Sequence, residues 1–540
     1  MNAVHVLPEV RNEAILNYTR GSAESAALNE QLQTLKSNVA EIPSVAGARE
    51  YRGGRVSKVK APHQHEKVLA QLHEATPEAI EAAVNSARDT HADWSRWSFE
   101  DRAAIFLKAA DLLAGPWRQR LNAATMLGQS KSVYQAEIDS ACELIDFLRF
   151  NVAFAQRIYA EQPISSPLTW NQLDYRPLEG FVYAVTPFNF TAIGGNLAVA
   201  PALMGNTVVW KPAATATLSN YLFFKLLQEA GLPPGVINFV PGDAVQISAS
   251  VLAHQDLGGI HFTGSTAVFN SLWRNTAERL ESYRNYPRLV GETGGKDFVL
   301  AHPSADLQAL AVALLRGAYE YQGQKCSAAS RAYIPKSLWS RLKPLLLDMI
   351  AGIKMGDVSE FDTFMGAVID AKAFTRIKRY VDEARQRSGV SILAGGQCDD
   401  TVGYFVAPTL IEVSDARDVL MREEIFGPVL TVYVYEDSQW RDVLKLVDST
   451  CPYALTGAVF AQERDALREA NDALRYAAGN YYINDKPTGA VVGQQPFGGA
   501  RASGTNDKAG SALNLLRWTS PRTLKENFTP PHQFRYPHMA

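Results

Sequence analysis

The sequence contains little cysteine, and no two cysteines stand close together in it. Its four cysteines among 540 residues lie far apart and form no C-x-x-C motif, which argues against a disulfide framework and against a zinc site. His63 and His65 form an H-x-H motif, and we interpret them as structural because no further ligand stands at a metal-binding spacing. No metal site is predicted, and a reducing compartment fits this composition.

Long hydrophobic runs and an excess of charge of one sign are also missing. No stretch approaches the ~18–20 consecutive apolar residues that span a bilayer, and 53 Lys+Arg nearly balance 56 Asp+Glu. A nucleic-acid partner, an anionic membrane surface and a membrane span are therefore not expected, and a small-molecule partner is favoured.

The first twenty residues do not match a targeting peptide. Glu9 and Glu13 are acidic, and no apolar core precedes a small-residue cleavage site. We expect a cytoplasmic protein, with the mitochondrial matrix as the alternative if a presequence has been removed.

Patterns of apolar residues indicate an α/β protein. A helical N-terminal part includes a helix from Thr76-Pro77 onward and another that starts at Ser98 and stops at Gly115. Short apolar runs then alternate with helical ones, and the candidate strands are 181–185, 207–211, 236–240, 259–262 and 288–290. Their continuous apolarity predicts a parallel sheet covered on both faces, of the size of a dinucleotide-binding unit.

A second alternating region predicts another α/β domain. It runs from about 298 to 483, with a helix at 306–321 and strands at 331–334 and 429–435. The segment 162–171 is rich in Pro, Ser and Thr and is expected to be a connector, whereas the part after Pro521 shows no periodicity.

One cysteine lies in a context that suits catalysis. Cys326 follows a glycine-containing turn, and Lys325 lies beside it. A nearby cation lowers the pKa of a thiol and so favours the nucleophilic thiolate. Taken alone, however, a single cysteine is more often a small buried hydrophobe.

Two polar side chains follow candidate strands. Glu292 stands in the glycine-rich turn 291–296, where desolvation would raise the pKa of its carboxyl group toward the range that activates water; the alternative is an ion pair with Lys296. Asn189 lies after strand 181–185, where its amide could donate to an oxyanion or, alternatively, cap a helix.

Two further segments suit a ligand that carries ribose or phosphate groups. Lys211 ends strand 207–211, and Gly264-Ser265 opens a helix whose N-terminus would favour pyrophosphate. Neither segment matches G-x-G-x-x-G, so spacing alone does not identify a cofactor.

The order of these motifs resembles the aldehyde dehydrogenase superfamily. They are P-x-N, W-K-P, F-T-G-S, G-E-x-G-G-K, G-Q-x-C, E-E-I-F-G-P and P-F-G-G, which begin at Pro187, Trp210, Phe262, Gly291, Gly323, Glu423 and Pro496. The resemblance covers roughly residue 66 to the C-terminus. The stretches 135–139, 188–196 and 492–507 are similar to the branch that oxidises L-glutamate γ-semialdehyde, the open form of 1-pyrroline-5-carboxylate, to L-glutamate in proline catabolism.

The resemblance implies a covalent cycle with NAD as hydride acceptor. Cys326 attacks the aldehyde, the Asn189 side chain and the Cys326 N–H hold the oxyanion, and Glu292 activates water to hydrolyse the thioester. The implied cofactor contacts come from Thr186, Lys211, Gly264, Ser265, Glu424 and Phe426.

The implied substrate contacts surround the two ends of the semialdehyde. The loop 488–490 and Ser327 would hold the α-carboxylate, and Phe190 and Phe497 would flank the aliphatic chain. Glu137 would pair with Lys325 or meet the ammonium, and the alternative is a solvated carboxylate on a helix face. The contributing residues are Ser327, Gly489, Ala490, Phe190, Phe497 and Glu137.

Two departures from the family pattern affect specificity. Ala490 stands where members of the family often carry Ser, so backbone N–H groups would have to hold the carboxylate. W-K-P is followed by Ala213-Ala214 rather than by an acidic residue that excludes a 2′-phosphate. NAD is expected, and NADP stays an open alternative.

The resemblance also implies a domain division and partners. We expect an aldehyde dehydrogenase-like α/β fold, with a Rossmann-type dinucleotide-binding domain, an α/β catalytic domain and a small oligomerisation element. The bounds are 1–297 for the helical N-terminal part and NAD-binding domain, with an oligomerisation segment near 160–178, then 298–503 for the catalytic domain and 504–540 for an oligomerisation tail. A homodimer or higher homo-oligomer is expected, and a separate proline dehydrogenase would supply the substrate.

Two other functions remain open at this point. One is a dehydrogenase for another semialdehyde, such as that of succinate. The other is a non-catalytic binding protein with a dehydrogenase fold, against which the intact Cys326, Glu292 and Asn189 count.

Overall fold

Helices and strands alternate along residues 6–539, the part of the chain that this computed structural model describes. The helices are α1 (Ala23–Ser37), α2 (Pro77–Trp94), α3 (Phe99–Ala114), α4 (Arg118–Gln129), α5 (Val133–Ala136), α6 (Leu144–Ala160), α7 (Thr191–Leu203), α8 (Thr217–Ala230), α9 (Ala244–Leu252), α10 (Thr266–Ala277), α11 (Leu307–Tyr319), α12 (Lys336–Ala351), α13 (Ala371–Gln386), α14 (Val419–Arg422), α15 (Trp440–Ser449), α16 (Arg464–Ala473) and α17 (Ala512–Leu516). The strands are β1 (Ala40–Ile42), β2 (Ser44–Ala46), β3 (Arg49–Tyr51), β4 (Val56–Ala61), β5 (Gln64–His73), β6 (Thr169–Pro177), β7 (Phe181–Val185), β8 (Thr207–Lys211), β9 (Ile237–Phe239), β10 (Leu257–Thr263), β11 (Arg288–Glu292), β12 (Asp297–Ala301), β13 (Ala329–Pro335), β14 (Val390–Ala394), β15 (Cys398–Asp399), β16 (Phe405–Val406), β17 (Thr409–Val413), β18 (Val429–Tyr435), β19 (Tyr453–Ala454), β20 (Thr456–Phe460), β21 (Asn480–Ile483), β22 (Ala500–Arg501) and β23 (Thr519–Asn527).

The first large sheet confirms the predicted dinucleotide-sized unit. Its strand order is β11-β10-β7-β8-β9-β2-β3, and the strands from β11 to β9 run parallel. β7 and β8 have the predicted bounds and are buried along their whole length, since helices cover both faces of the sheet. The other three candidate strands are confirmed with small shifts at their ends.

The second large sheet confirms the other α/β region. Its order is β14-β17-β18-β13-β12-β20-β21, and only the edge strand β14 runs antiparallel to its neighbour. Helix α11 begins after Asp306, which caps it by accepting from the backbone N–H of Ala309 at 2.8 Å. A small sheet of β1, β5 and β4 lies outside both domains' main sheets.

Helix starts follow the predicted caps, whereas one helical stretch differs from expectation. Thr76 and Ser98 cap α2 and α3 by accepting from the N–H three residues later. The apolar residues between 138 and 154 have the spacing of a continuous α-helix, but Glu137–Glu143 forms a π-helix before α6 begins. Such wider turns occur frequently at functional sites.

The connector and the tail pair with each other. β6 and β23 run antiparallel over nine residues, from Thr169 opposite Asn527 to Pro177 opposite Thr519. The part after Pro521 shows no periodicity in the sequence, yet it forms a strand as far as Asn527. Pairing with a distant segment leaves no periodic pattern in the local sequence. The pair forms an arm with exposed Leu168, Trp170 and Phe528 at its tip.

Before the arm, the chain returns to the first domain. Trp518 is fully buried, and its ring lies 4.6 Å from that of His261 in β10. Its indole Nε1 donates to Asn514 Oδ1 at 3.4 Å. The segment between α17 and β23 is therefore anchored on the first sheet.

Trp518→Ala is expected to lower the free energy of unfolding by about 3–5 kcal/mol, because it removes a fully buried indole and leaves a cavity. Trp273→Ala is the matched control, since Trp273 is 47% exposed on α10 and its loss should cost less than about 1 kcal/mol. Urea titration of the first unfolding transition measures both changes. Equal effects of the two substitutions would contradict this anchoring role.

Candidate active site

The carboxyl edge of the first large sheet faces the amino edge of the second. Thr186, Lys211, Gly264 and Glu292 lie at the carboxyl ends of parallel strands of the first sheet, and such ends share one edge. Cys326 lies three residues before β13, at the amino edge of the second sheet. The structure therefore brings the predicted cofactor and catalytic residues to one cleft.

Glu292 ends β11 and is partly buried. Its Oε2 has no hydrogen-bond partner among residues 6–539. Burial raises the pKa of its carboxyl group well above the ordinary value, although Lys508 and the backbone N–H of Gly499 oppose that shift. Lys296 is not its partner, because the Lys296 ammonium is likewise unpaired within the described chain. The ion-pair interpretation of the turn is thus wrong.

The turn after Glu292 holds both domains together at close range. The N–H of Gly295 donates to Glu424 Oε1 at 2.9 Å. A Cβ at Gly294 would lie 2.4 Å from Glu424 Oε2, and one at Gly295 would lie 2.3 Å from the carbonyl oxygen of Cys326. Only glycine permits this approach at both positions.

Cys326 follows a turn of unusual backbone conformation. Tyr321, Gln322 and Gly323 all have positive φ angles, of 50°, 55° and 63°. The Gln322 side chain bridges the carbonyl oxygens of Ser130 at 2.9 Å and Ala367 at 2.6 Å. These bonds hold two non-glycine residues in the left-handed region, which is sterically unfavourable for them.

The environment of the Cys326 thiol differs from the expected one. Lys325 does not activate the thiol, because its ammonium pairs with Glu320 at 3.3 Å. Burial raises the pKa of Cys326 well above its usual value, and the nearby carboxylates of Asp297, Glu292 and Glu424 add to the shift. The expectation of a cation-stabilised thiolate is therefore wrong, and the resting group is a thiol.

Asn189 lies beside the nucleophile turn. Its Nδ2 donates to the carbonyl oxygen of Gln324 at 3.1 Å, and the residue is buried. It does not cap α7, because Phe190 occupies the N-cap position. The amide is thus held next to the residues that precede Cys326, as an oxyanion donor requires.

The predicted cofactor residues of the first sheet line its carboxyl edge. The Lys211 ammonium forms no hydrogen bond or ion pair that the described chain supplies, and burial lowers the pKa of Lys211 to about 8. Ser265 caps α10. Thr186 contributes its N–H to the Lys211 carbonyl at 3.1 Å and accepts from the indole of Trp210 at 3.1 Å.

Two cofactor residues come from the second domain. Glu424 reaches the Gly294-Gly295 backbone, as described above. Phe426 adopts a positive φ of 55°, and its ring packs edge-on against Phe188 at 5.8 Å. Both residues therefore face the turn and the P-x-N segment of the first domain.

The predicted substrate residues fall into two groups. Ser327 Oγ lies 2.8 Å from Thr488 Oγ1, so the loop with Gly489 and Ala490 adjoins the nucleophile. Phe190 directly follows Asn189, and Phe497 forms a backbone pair with Ala509 in the segment that contacts Glu292.

Glu137 is the exception among the predicted substrate residues. Its buried carboxylate accepts from Arg118, Tyr18, Asn122 and the backbone N–H of Leu16. The expected pairing with Lys325 is therefore wrong, since nearer donors on other elements use the whole carboxylate.

The structure also places near Lys131 and Lys325 a carboxylate that the sequence analysis did not single out. Glu143 ends the π-helix and is half-buried. Burial raises the pKa of Glu143 to about 8, and Asp139 adds to the shift, whereas Lys131 and Lys325 oppose it. Its position six residues after Glu137, in the same helical stretch, was the available signal.

None of the helices within residues 6–539 combines the length and apolarity that a bilayer crossing requires.

Comparisons with known proteins agree with this geometry. The family model described as the aldehyde dehydrogenase family matches residues 50–524. The mitochondrial delta-1-pyrroline-5-carboxylate dehydrogenase of Dictyostelium discoideum is 53% identical over 536 residues, 99% of this chain and 96% of that protein.

Solved structures are similarly close. The delta-pyrroline-5-carboxylate dehydrogenase of Mycobacterium tuberculosis bound with NAD has a TM-score of 0.97 and 53% identity, with 100% of each chain covered. Proline utilization A of Bdellovibrio bacteriovorus has a TM-score of 0.91 and 29% identity, with 97% of this chain and 54% of that chain covered. The chain therefore belongs to the aldehyde dehydrogenase family.

Proposed function

We propose that this protein is an NAD-dependent dehydrogenase that oxidises L-glutamate γ-semialdehyde, formed from 1-pyrroline-5-carboxylate, to L-glutamate. The observation that carries the proposal is the convergence of Cys326, Glu292 and Asn189 where the two sheets meet. The full-length similarity to pyrroline-5-carboxylate dehydrogenases from distant organisms supports the choice of substrate.

Cys326 and Asn189 perform the first half of the reaction. The thiol loses its proton and attacks the aldehyde carbon, and the Asn189 amide with the Cys326 N–H holds the resulting oxyanion. Because burial raises the pKa of the thiol, only a small fraction of Cys326 is ionised, and this thiolate, whose proton has passed to solvent, is the attacking form.

Glu292 performs the second half. Once the aldehyde carbon has been oxidised to a thioester, water must attack it, and an ionised Glu292 removes the proton from that water. Because burial raises the pKa of this carboxyl group, the ionised Glu292 is a stronger base than an ordinary glutamate.

The residues at the first sheet's edge fit NAD. Lys211 is buried and has no hydrogen-bond or ion-pair partner among residues 6–539, so its ammonium can bind oxygen atoms of a ligand. The N-terminus of α10 at Ser265 favours phosphate. Glu424 would accept from ribose hydroxyls, and Thr186, Gly264 and Phe426 complete the surface. When bound, the nicotinamide supplies the hydride acceptor.

The charged ends of the substrate find complementary groups. Ser327 and the backbone of Gly489 and Ala490 are proposed to bind the α-carboxylate, with Phe190 and Phe497 along the chain. Glu143 replaces Glu137 as the proposed partner of the ammonium, because it is half-buried and stands outside the Arg118 network that uses the Glu137 carboxylate.

The arm and the domain bounds complete the proposal. We propose the predicted division at 297 and 503 and a homodimer or higher homo-oligomer in which the β6–β23 arm binds a second copy, since its tip exposes apolar side chains. The similarity to proline utilization A supports a separate proline-oxidising partner. Cytoplasmic location stays a prediction, beside a relative named as mitochondrial.

The direct test of the substrate is NADH formation with purified protein. We expect turnover of pyrroline-5-carboxylate with NAD at a kcat/KM at least about tenfold above that for succinate semialdehyde. The latter lacks the ammonium group, so one charged contact with the protein would not form. NADP run in parallel defines the cofactor. Loss of turnover in Cys326→Ser separates catalysis from contamination, and no turnover with any aldehyde would overturn the enzymatic proposal.

Glu292→Gln is expected to lower kcat by about 10²–10⁴-fold, because general-base catalysis is lost. In the unsubstituted protein, the rate should fall as the pH falls through the raised pKa of Glu292, since only the ionised carboxylate accepts a proton. The midpoint of this acid limb should lie above about 4.3, the ordinary value. Glu423→Gln, at an exposed neighbour of the cleft, is the control and should keep this limb.

Leu168→Asp with Phe528→Asp is expected to dissociate the oligomer, because it places charge on the apolar tip of the arm. Val402→Asp is the control, since Val402 is similarly exposed on another part of the surface. Sedimentation velocity measures the mass of each variant. An unchanged assembly in the arm variant would exclude this surface as the interface.

A further inference from the structure

Lys131 is buried between two segments of the proposed active site. Its Nζ lies 2.6 Å from Asp139 Oδ2, 3.9 Å from the ring centroid of Phe190 and 4.5 Å from that of Tyr321. Phe190 follows the oxyanion donor Asn189, and Tyr321 opens the left-handed turn before Cys326. One ammonium group therefore contacts both segments by cation–π interactions.

Asp139 connects Lys131 to the backbone that carries Asn189. Its two carboxylate oxygens accept from the N–H groups of Thr191 at 3.0 Å and Ala192 at 2.8 Å. These N–H groups belong to the first turn of α7, whose N-cap residue Phe190 has no side-chain acceptor. A carboxylate is strongly favoured at this position, both as an acceptor and by the helix dipole.

The two residues before Lys131 contact the same segments. Gln129 Nε2 donates to the carbonyl oxygen of Phe188 at 2.6 Å. The carbonyl oxygen of Ser130 accepts from Gln322 at 2.9 Å, within the strained turn. Residues 129–131 thus reach both the segment 188–192 and the segment 321–323; we refer to residues 129–131 with Asp139 as the clamp.

We propose that the clamp is a positioning element that sets Asn189 and Cys326 at their working separation. The clamp residues contact chain segments next to the reacting groups and not the reacting groups themselves. They therefore act by fixing the position of the backbone that carries Asn189 and Cys326. The inference rests on the proposed function, because it gives Asn189 and Cys326 the roles assigned there.

The charge of the clamp supports a positional role. Lys131 is 1% exposed and Asp139 is fully buried. A buried ion pair is often no more stabilising than apolar residues of similar size, whereas it defines geometry narrowly. Misplacement by about 1 Å of groups in a reacting geometry can cost about 10²-fold in rate.

The test removes the pair without leaving a buried charge. Lys131→Met with Asp139→Asn is compared with Arg118→Met with Glu137→Gln, a buried ion pair at the other end of α4 that contacts neither catalytic segment. We expect similar losses in thermal midpoint, but a fall in kcat with pyrroline-5-carboxylate of about 10–100-fold for the clamp variant alone. The KM for NAD should stay unchanged in both.

Gln129→Met provides a second variant that removes no charge, in case the double variant fails to fold. It should lower kcat by a smaller factor, because it leaves the ion pair intact and removes only the bond to the Phe188 carbonyl and the bonds that Gln129 Oε1 accepts from Thr191 and Ser219. Turnover by the unsubstituted protein tests the proposed function separately. Unchanged kcat in Gln129→Met, or equal losses of kcat in the two double variants, would overturn the positioning role.

Discussion

The active site depends on the close backbone contact at Gly294 and Gly295. This turn brings the end of β11, and with it Glu292, against the Cys326 carbonyl and the Glu424 carboxylate of the other domain. A side chain at Gly295 would overlap the backbone carbonyl of Cys326, and one at Gly294 would displace the Glu424 carboxylate. The nucleophile, the base and one cofactor residue would then lose their common position, although each domain could keep its own sheet.

Burial controls the charge state of this contact region. Removal from water raises the pKa of Glu292 and of Cys326, and it lowers the pKa of Lys211 and Lys296 to about 8 each. Burial therefore destabilises the charged form of each of these groups relative to its charged form in water. Charge would develop there in the proposed reaction, and Asn189 and the Cys326 N–H are the proposed donors to it.

The sequence predicted those features that are encoded locally. Strands 181–185 and 207–211 were identified with correct bounds because continuous apolarity marks a strand buried on both faces. Thr76 and Ser98 marked helix starts because a cap and its acceptor geometry lie within three residues. The catalytic residues were found because their motifs occur together and in a recognisable order.

Features that depend on distant partners were not predictable in this way. Lys325 was expected to activate Cys326, but Glu320 neutralises it; Glu137 was expected at the substrate, but Arg118 engages it. The pairing of β6 with β23 joins segments more than 300 residues apart, and neither carries a clear strand pattern. The π-helix that contains Asp139 likewise follows from packing rather than from apolar periodicity.

The central claim is that Cys326 carries the acyl group that Glu292-activated water then releases. The most direct measurement is the mass of Glu292→Gln protein after rapid mixing with pyrroline-5-carboxylate and NAD, followed by acid quench and peptide mapping. The account predicts a glutamyl adduct on the peptide that contains Cys326. An adduct on another cysteine, or NADH formation without any adduct, would contradict it.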